Sequence, residues 1–313
     1  MMKPHLSIEQ QIELLLQRGL NIQNPSNFGI FLKDHNYYRV RGYFHPFLLE
    51  SDFGKSSQFK PETTDTTIIK LVEFDRNLRN FLFEALAIFE TKLRSSVAYH
   101  AGSVNPYLHI DGQGLTAEFK HPSSDGNLSK FDEWSIGYCN ALEKHSKNDI
   151  VLKHVETYNG VIPIWAAVEL LELGKVSSLL RALEEPIASR ISGDFDCSVA
   201  LFKSIVATLN DLRNHVAHHS RIWNFHYPIS PKVSSKKIPM ELQHLAGTTD
   251  YQRHKLYSRI SLMLWLDKGN SLNVDFENRI LSILRVLPIS PSISHAAMGW
   301  SEEFRNSSLW SNL

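Results

Sequence analysis

The feature that most constrains the fold is a long segment of helical periodicity, residues 66–100. Apolar side chains recur there every three or four positions, so that they occupy one broad side of a helix; they are Leu71, Phe74, Leu78, Phe81, Leu82, Ala85, Ile88, Phe89 and Leu93. No proline interrupts the run, and Gly102 lies just beyond it. A helix this long buries its apolar side only by packing against several others. The segment therefore predicts the central helix of an all-α bundle.

The rest of the chain predicts a series of shorter helices. The first begins at Ser7, where the spacing of a capping box occurs, and stops before Gly19. Apolar periodicity indicates four more, over residues 27–35, 131–144, 251–267 and 275–286. A further segment starts a helix at Pro163, ends it at Gly174 and restarts it after Ser177. No alternating pattern typical of a strand is evident, so the predicted fold class is all-α.

Composition divides the chain into four regions. Residues 66–290 are predicted to form the helical bundle, and residues 1–50 a helical arm appended to it. Residues 51–65 are polar and predict a linker, and residues 291–313 predict a loosely attached tail held by Trp300 and Trp310. Irregular insertions are expected over residues 101–130 and 224–249, the second of which carries a local positive cluster, Lys232, Lys236 and Lys237.

The overall charge excludes a general nucleic-acid coat protein. Lys plus Arg and Asp plus Glu both number 33, so any contact with RNA must be local. Cys139 and Cys197 match no metal or redox motif and are expected to be reduced thiols. Neither a signal peptide nor an apolar run of about 18 residues is evident, so we expect a cytoplasmic protein with no membrane partner.

A second helix with an apolar side is indicated over residues 202–216, and its end carries side chains suited to phosphodiester chemistry. If Leu212 faces the core, Arg213, Asn214 and His218 lie at about +100°, 200° and −120° around the axis, pointing away from the core. A guanidinium matches phosphate oxygens, and an imidazole transfers protons near neutral pH. Such a pair could cleave RNA through the RNA's own 2′-hydroxyl without a metal or cofactor, leaving a 2′,3′-cyclic phosphate and a 5′-hydroxyl.

The same residues are also compatible with purely structural roles. Arg213 could form a surface ion pair, and His218 could cap the last carbonyls of the helix. His215 and His219 have the spacing of two metal ligands, but the glutamate of a zincin motif is missing, so no metal is expected. We interpret His219 and Trp223 as capping and packing residues.

Two other places could assist such a site. Residues 36–47 interleave aromatic side chains, among them Tyr37 and Tyr38, with Arg39, Arg41 and His45; they either stack on unpaired bases and hold phosphates or simply pack with solvated tips. On the long helix, Glu90 and Arg94 stand four residues apart. They could form an ordinary ion pair along the helix, or the helix could pack beside Arg213 and lend its site a polar group.

These motifs carry a family resemblance. Arg213 and His218, in the segment that ends at Asn224, resemble the signature of HEPN ribonucleases and the Abi-like abortive-infection proteins of the AbiD/AbiF type. The segments 37–43 and 163–169 resemble other blocks of that family. The resemblance implies a HEPN-like bundle and an endoribonuclease toxin of phage defence that acts on RNA. An inhibitory small RNA or protein antitoxin is then a candidate partner. The alternative is a catalytically silent HEPN module that binds RNA or a regulatory protein.

The chemistry also bears on assembly. Transesterification needs a base for the 2′-hydroxyl and an acid for the leaving oxygen, yet one motif supplies a single His218. We find no second such motif in a matching context in the chain. A homodimer with a composite active site is therefore expected, in agreement with the resemblance.

Overall fold

The computed structural model describes residues 4–51, 54–122, 127–233, 238–269, 272, 274–301 and 307–310. In these residues the chain forms helices and one small two-stranded sheet, so the predicted all-α class is confirmed. The helices are α1 Ile8–Gln17, α2 Pro25–His35, α3 Tyr37–Arg41, α4 Asp65–Gly102, α5 Leu108–Asp111, α6 Ala117–Lys120, α7 Lys130–Lys144, α8 Asp149–Thr157, α9 Ile164–Leu170, α10 Leu173–Ala182, α11 Glu185–Gly193, α12 Val199–Ala217, α13 Gln243–Ala246, α14 Asp250–Arg253, α15 Leu256–Lys268 and α16 Phe276–Leu284.

The central helix of the bundle is α4, as the periodicity predicts. It has 38 residues and is about 57 Å long. The Thr64 side chain accepts from the backbone N–H of Thr67 and so starts the helix, and the apolar side then packs against α9, α10, α11, α12 and α16. Of the predicted apolar positions only Ile88 is exposed. Because α4 contacts five other helices, it fixes the position of α12 and of everything α12 carries.

The N-terminal helices share their core with the bundle. The predicted capping box opens α1, since the Ser7 hydroxyl accepts from the N–H of Gln10, and Gly19 leaves the helix with a φ of +83°. The Asp65 carboxylate, at the start of α4, accepts from the backbone N–H groups of Gln23 and Asn24. The apolar core continues from α1 to the C-terminal region, and so the helical arm is docked on the bundle.

A β-hairpin occupies part of the predicted linker. Strand β1, Leu48–Ser51, pairs with β2, Gly54–Phe59, in an antiparallel register that sets Leu48 opposite Phe59. Phe59 is buried against Phe44 at a ring separation of 5.2 Å. Only one apolar anchor holds β2, so the sequence lacks the alternation by which a half-buried strand is recognised.

The predicted break at Gly174 is wrong in position. Helix α9 ends at Leu170, Leu171 is extended, and α10 begins at Leu173, so that Gly174 lies in the first turn of α10. Leu170 and Leu171, the last residue of α9 and the extended residue after it, are both buried. Helical periodicity alone could not reveal this, because both sides of the break are apolar.

The C-terminal region follows the predictions with smaller differences. The helix expected over residues 251–267 is divided into α14 and α15, and short helices α5 and α6 lie in the insertion of residues 101–130. Trp300 and Trp310 are buried and pack around the Tyr257 ring, as predicted for the residues that hold the tail. Lys236 and Lys237 lie outside the described residues. No helix in the described ranges has the length and apolar character needed to cross a membrane.

Candidate functional site

The end of α12 is closed by a Schellman motif that places His218 at an exposed position. The N–H of Ser220 donates to the carbonyl of His215 at 2.9 Å, and the N–H of His219 donates to that of Val216 at 3.1 Å. His219 takes the left-handed conformation, with a φ of +53°. His219 is thus a capping residue, as predicted, and Trp223 is buried. The His218 and Asn214 side chains are exposed to solvent.

Arg213 is held from one side by the long helix. Its Nε donates to Glu90 Oε2 at 3.0 Å, and Oε1 of the same carboxylate accepts from Arg94. Arg94 also donates to the carbonyl of Val168. We call Glu90, Arg94 and Arg213 the Glu90 cluster; it combines two cations with one carboxylate. The two terminal nitrogens of Arg213 contact no acceptor among the described residues, and 29% of its side chain is exposed.

A cavity of about 280 Å³ opens beside the Glu90 cluster. Phe83, Ala87, Thr91 and a further carboxylate, Glu169, line it together with the three residues of the cluster. The i,i+4 ion pair between Glu90 and Arg94 is present, and α4 also packs beside α12 and contacts Arg213. The ion pair along α4 and the packing of α4 beside Arg213 are thus both present, and the role of Glu90 at a functional site stays a prediction.

The three motif residues do not share one outward face. Arg213 lies in the groove between α12 and α4, because Glu90 draws its guanidinium toward α4, whereas Asn214 and His218 point to solvent. His218 is five positions after Arg213, which corresponds to about 7.5 Å along the helix axis and about 140° around it. On one chain the guanidinium and the imidazole therefore project in different directions.

A second charged cluster is centred on Asp75, which is fully buried and contacts the residues just after α12. The Asp75 carboxylate accepts from Tyr43 Oη at 2.7 Å, from Arg79 Nη1 at 2.6 Å, and from the backbone N–H groups of Ile222 and Trp223 at 3.1 and 2.6 Å. We call these five residues the Asp75 cluster. Burial raises the pKa of the Asp75 carboxyl, and the four donors oppose that shift by stabilising the charged form. Burial and the nearby Asp75 raise the pKa of Tyr43 above its ordinary range.

The Asp75 cluster joins three distant segments of the chain at the end of α12. Arg79 also donates to the carbonyl of Ser220 at 3.3 Å, and Arg39 donates to the carbonyl of His219. The predicted aromatic and basic segment, residues 37–43, is therefore docked beside the residue that follows His218. The sequence offered one signal of this, because Asp75 interrupts the apolar side of the long helix between Leu71 and Leu78.

His215 makes contacts inside the protein. Its Nδ1 donates to the carbonyl of Asp211 at 2.9 Å, and its ring packs on Phe225 and Tyr227 at 4.4 and 5.1 Å. His219, the other member of the spaced pair, is exposed and is turned by its left-handed backbone. Within the described part of the chain, no three His, Cys, Asp or Glu side chains are placed to hold a metal ion.

The geometry can be set beside known proteins. A family model described as Abi-like protein matches residues 30–224. The chain belongs to this Abi-like family. The match covers the docked aromatic segment, both charged clusters and the whole of α12, and membership associates the chain with abortive infection, a form of phage defence. No curated protein and no solved structure shows a significant match to the chain.

Proposed function

We propose that this Abi-like protein is a metal-independent endoribonuclease of the HEPN type that acts as a toxin in abortive infection. The main support for the proposal is the way in which Arg213 is held beside the cavity. The carboxylate of Glu90 holds its Nε, while its two terminal nitrogens remain available at the edge of a cavity. A guanidinium fixed in this way is suited to bidentate contact with a phosphate. The same helix presents an exposed imidazole, that of His218, at its end.

The proposed reaction needs only groups that the protein and the RNA supply. The 2′-oxygen of the RNA forms a bond to phosphorus, and the bond from phosphorus to the 5′-oxygen breaks. A base takes the 2′-hydroxyl proton, and an acid gives a proton to the leaving 5′-oxygen, so the products are a 2′,3′-cyclic phosphate and a 5′-hydroxyl. Arg213 would stabilise the charge that develops on the phosphate. Asn214 would orient the phosphate or the imidazole.

The divergence of Arg213 and His218 on one helix supports a shared site. A two-fold contact that brings two α12 termini together would offer one His218 as the base and its twin as the acid. The same contact would set the guanidinium of one protomer nearer the imidazole of the other. We therefore propose a homodimer with a composite active site. An active ribonuclease of this kind would harm its own cell, so a small RNA or a protein antitoxin is the proposed restraint.

Cleavage of RNA in EDTA tests the activity. The purified protein should produce cyclic-phosphate ends, and both Arg213→Ala and His218→Ala should lower the rate by about 10²- to 10³-fold. Arg285, which is exposed on another helix end, provides the matched control, and Arg285→Ala should cleave like the wild type. Wild-type rates in either motif variant would refute the mechanism. RNA binding with no cleavage by any preparation would identify the silent binding module instead.

Mixed dimers test the shared site. If each site uses groups from two protomers, adding an excess of Arg213→Ala protein to the wild type should depress activity below the level expected from dilution alone. Light scattering should give the mass of a dimer. A monomer that cleaves at the full rate would exclude the composite arrangement.

A further inference from the structure

Two adjoining cavities run along the N-terminal helices. Their volumes are about 610 Å³ and 570 Å³, and both are lined by Arg18, Tyr38 and Arg41. The first extends over α1 and α2 to Lys33. The second extends past β2 to Arg221, three residues after His218. The two cavities adjoin at the three lining residues that they share, and we call them together the arm groove.

The charge of the arm groove differs from that of the chain as a whole. Arg18, Lys33, Arg41 and Arg221 line it together with His5 and His45, and no lining residue is acidic. In the described structure none of the four Arg and Lys side chains pairs with a carboxylate, although the chain carries as many acidic as basic residues. Positive charge without neutralising partners, confined to one groove, attracts a polyanion.

The aromatic side chains indicate which polyanion. Tyr38 is 62% exposed and stands edge-on to Tyr37, with ring planes at 87°. Arg18 Nη1 donates to the Tyr37 hydroxyl at 3.4 Å, which holds this second ring against the groove wall. An exposed aromatic face beside cations can stack on a base only where that base is unpaired. An acidic peptide would pair with the charges but has no base to stack on the exposed ring.

One end of the groove lies close in the chain to His218, because Arg221 lines it. The Arg221 guanidinium lies 6.0 Å from the centre of the Tyr43 ring, and Arg39 donates to the carbonyl of His219. These contacts fix the inner end of the groove beside the exposed end of α12. We propose that the arm groove binds single-stranded RNA and guides it toward His218, an inference that takes its substrate class from the proposed function.

Binding measured without cleavage tests this. The full-length His218→Ala protein is titrated into a labelled, unstructured 12-nucleotide RNA in EDTA at several salt concentrations. Adding Arg41→Ala should weaken binding about fivefold to tenfold and make the slope of log K against log salt shallower by about 0.7, the value for one lost phosphate contact on a single strand. Adding Tyr38→Ala should weaken binding by a similar factor without changing the slope, and Tyr38→Phe should restore it, because the phenyl ring keeps its stacking face.

Matched controls lie elsewhere on the surface. Arg285→Ala and Tyr158→Ala remove an exposed arginine and an exposed tyrosine far along the chain from the arm, and neither should change affinity. If Arg41→Ala and Tyr38→Ala behave like these controls, the arm groove is not the RNA site. Displacement of the RNA by equal concentrations of duplex RNA or polyglutamate would also overturn the assignment to single strands.

The outcomes separate this inference from the proposed activity. Groove-dependent binding by a wild-type protein that never cleaves RNA would support the arm groove and refute the ribonuclease. Cleavage by the wild type with unchanged KM in the Arg41→Ala and Tyr38→Ala variants would support the ribonuclease and refute the arm groove.

Discussion

Helix α4 carries two acid–arginine pairs with the same spacing, and their surroundings make them chemically different. Asp75 and Arg79 lie near its beginning, and Glu90 and Arg94 lie four turns later. In the Asp75 cluster four donors surround the carboxylate, which solvent does not reach. In the Glu90 cluster a third charged group, Arg213, joins the pair and keeps 29% of its side chain exposed.

Closure to solvent, rather than the ion pair, distinguishes a cluster with no room for a ligand from one that a ligand can reach. A buried carboxylate with all its acceptor sites used is expensive to disturb and has no capacity left for a ligand. The Glu90 cluster has more positive than negative charge and two guanidinium nitrogens without acceptors in the described structure. Both clusters contact α12 or the residues just after it, so one would hold the helix end while the other presents Arg213.

The largest effect is expected from opening the closed cluster. Asp75→Ala leaves the Arg79 charge buried with no carboxylate and leaves two backbone N–H groups unpaired. We expect a loss of about 3–5 kcal/mol in the free energy of unfolding, measured by urea denaturation. Glu73→Ala, at an exposed position on the same helix, is the control and should change stability by less than about 0.5 kcal/mol. Similar small losses in both variants would remove the distinction between the clusters.

His109, which is fully buried and forms no ion pair among the described residues, tests whether burial alone makes the free energy of unfolding depend on pH. Burial lowers the pKa of His109 to about 4, so the unfolded chain binds a proton between pH 6.5 and 4 that the folded chain does not. The stability present above pH 6.5 is therefore lost as the pH falls, by about 2 kcal/mol at pH 5. His109→Phe should abolish this part of the difference in unfolding free energy between pH 7.5 and pH 5. If the difference in unfolding free energy were unchanged, burial of His109 would not contribute to the pH dependence of stability.

Glu90→Gln tests whether the carboxylate of the solvent-exposed cluster orients Arg213. The amide cannot balance two guanidinium groups, so Arg213 loses its fixed orientation while its charge remains. We expect kcat for RNA cleavage to fall about tenfold, or about 1.4 kcal/mol, without a rise in KM. Glu84→Gln is the matched control, because Glu84 lies on the surface of the same helix, α4, and pairs with Arg279 of α16. A parallel loss in both variants, or a rise in KM alone, would contradict the positioning role of Glu90.

The smallest effect is expected from Tyr43→Phe. This substitution removes one of the four donors to Asp75 and keeps the ring in the core. The free energy of unfolding should fall by about 1 kcal/mol, as measured by urea denaturation. Tyr38→Phe, in the same segment but exposed, should have no measurable effect on stability. If Tyr43→Phe destabilised the protein as much as Asp75→Ala, the Tyr43 hydroxyl rather than Arg79 would make the main contribution to the stability of the Asp75 cluster.

The sequence predicts well what is encoded locally and poorly what depends on distant contacts. The capping box at Ser7 and the apolar side of α4 involve neighbours within a turn or two, and the structure confirms both. The hydrogen bonds from Arg213 to Glu90 and from Trp223 to Asp75 join residues 123 and 148 positions apart. No spacing rule reaches that far. The Arg-His motif could therefore be found, but the direction in which Arg213 points could not.

The Asp75 cluster also sets an order of events during synthesis. At about 5–20 residues per second, Trp223 is added roughly 7–30 s after Asp75. During that interval the carboxylate lacks two of its four donors, and the end of α12 has nothing to close against. In a nascent chain, or one interrupted before residue 222, the end of α12 therefore lacks these two hydrogen bonds. The hydrogen bonds that close the end of α12 onto α4 can form only after the chain has been extended through Trp223.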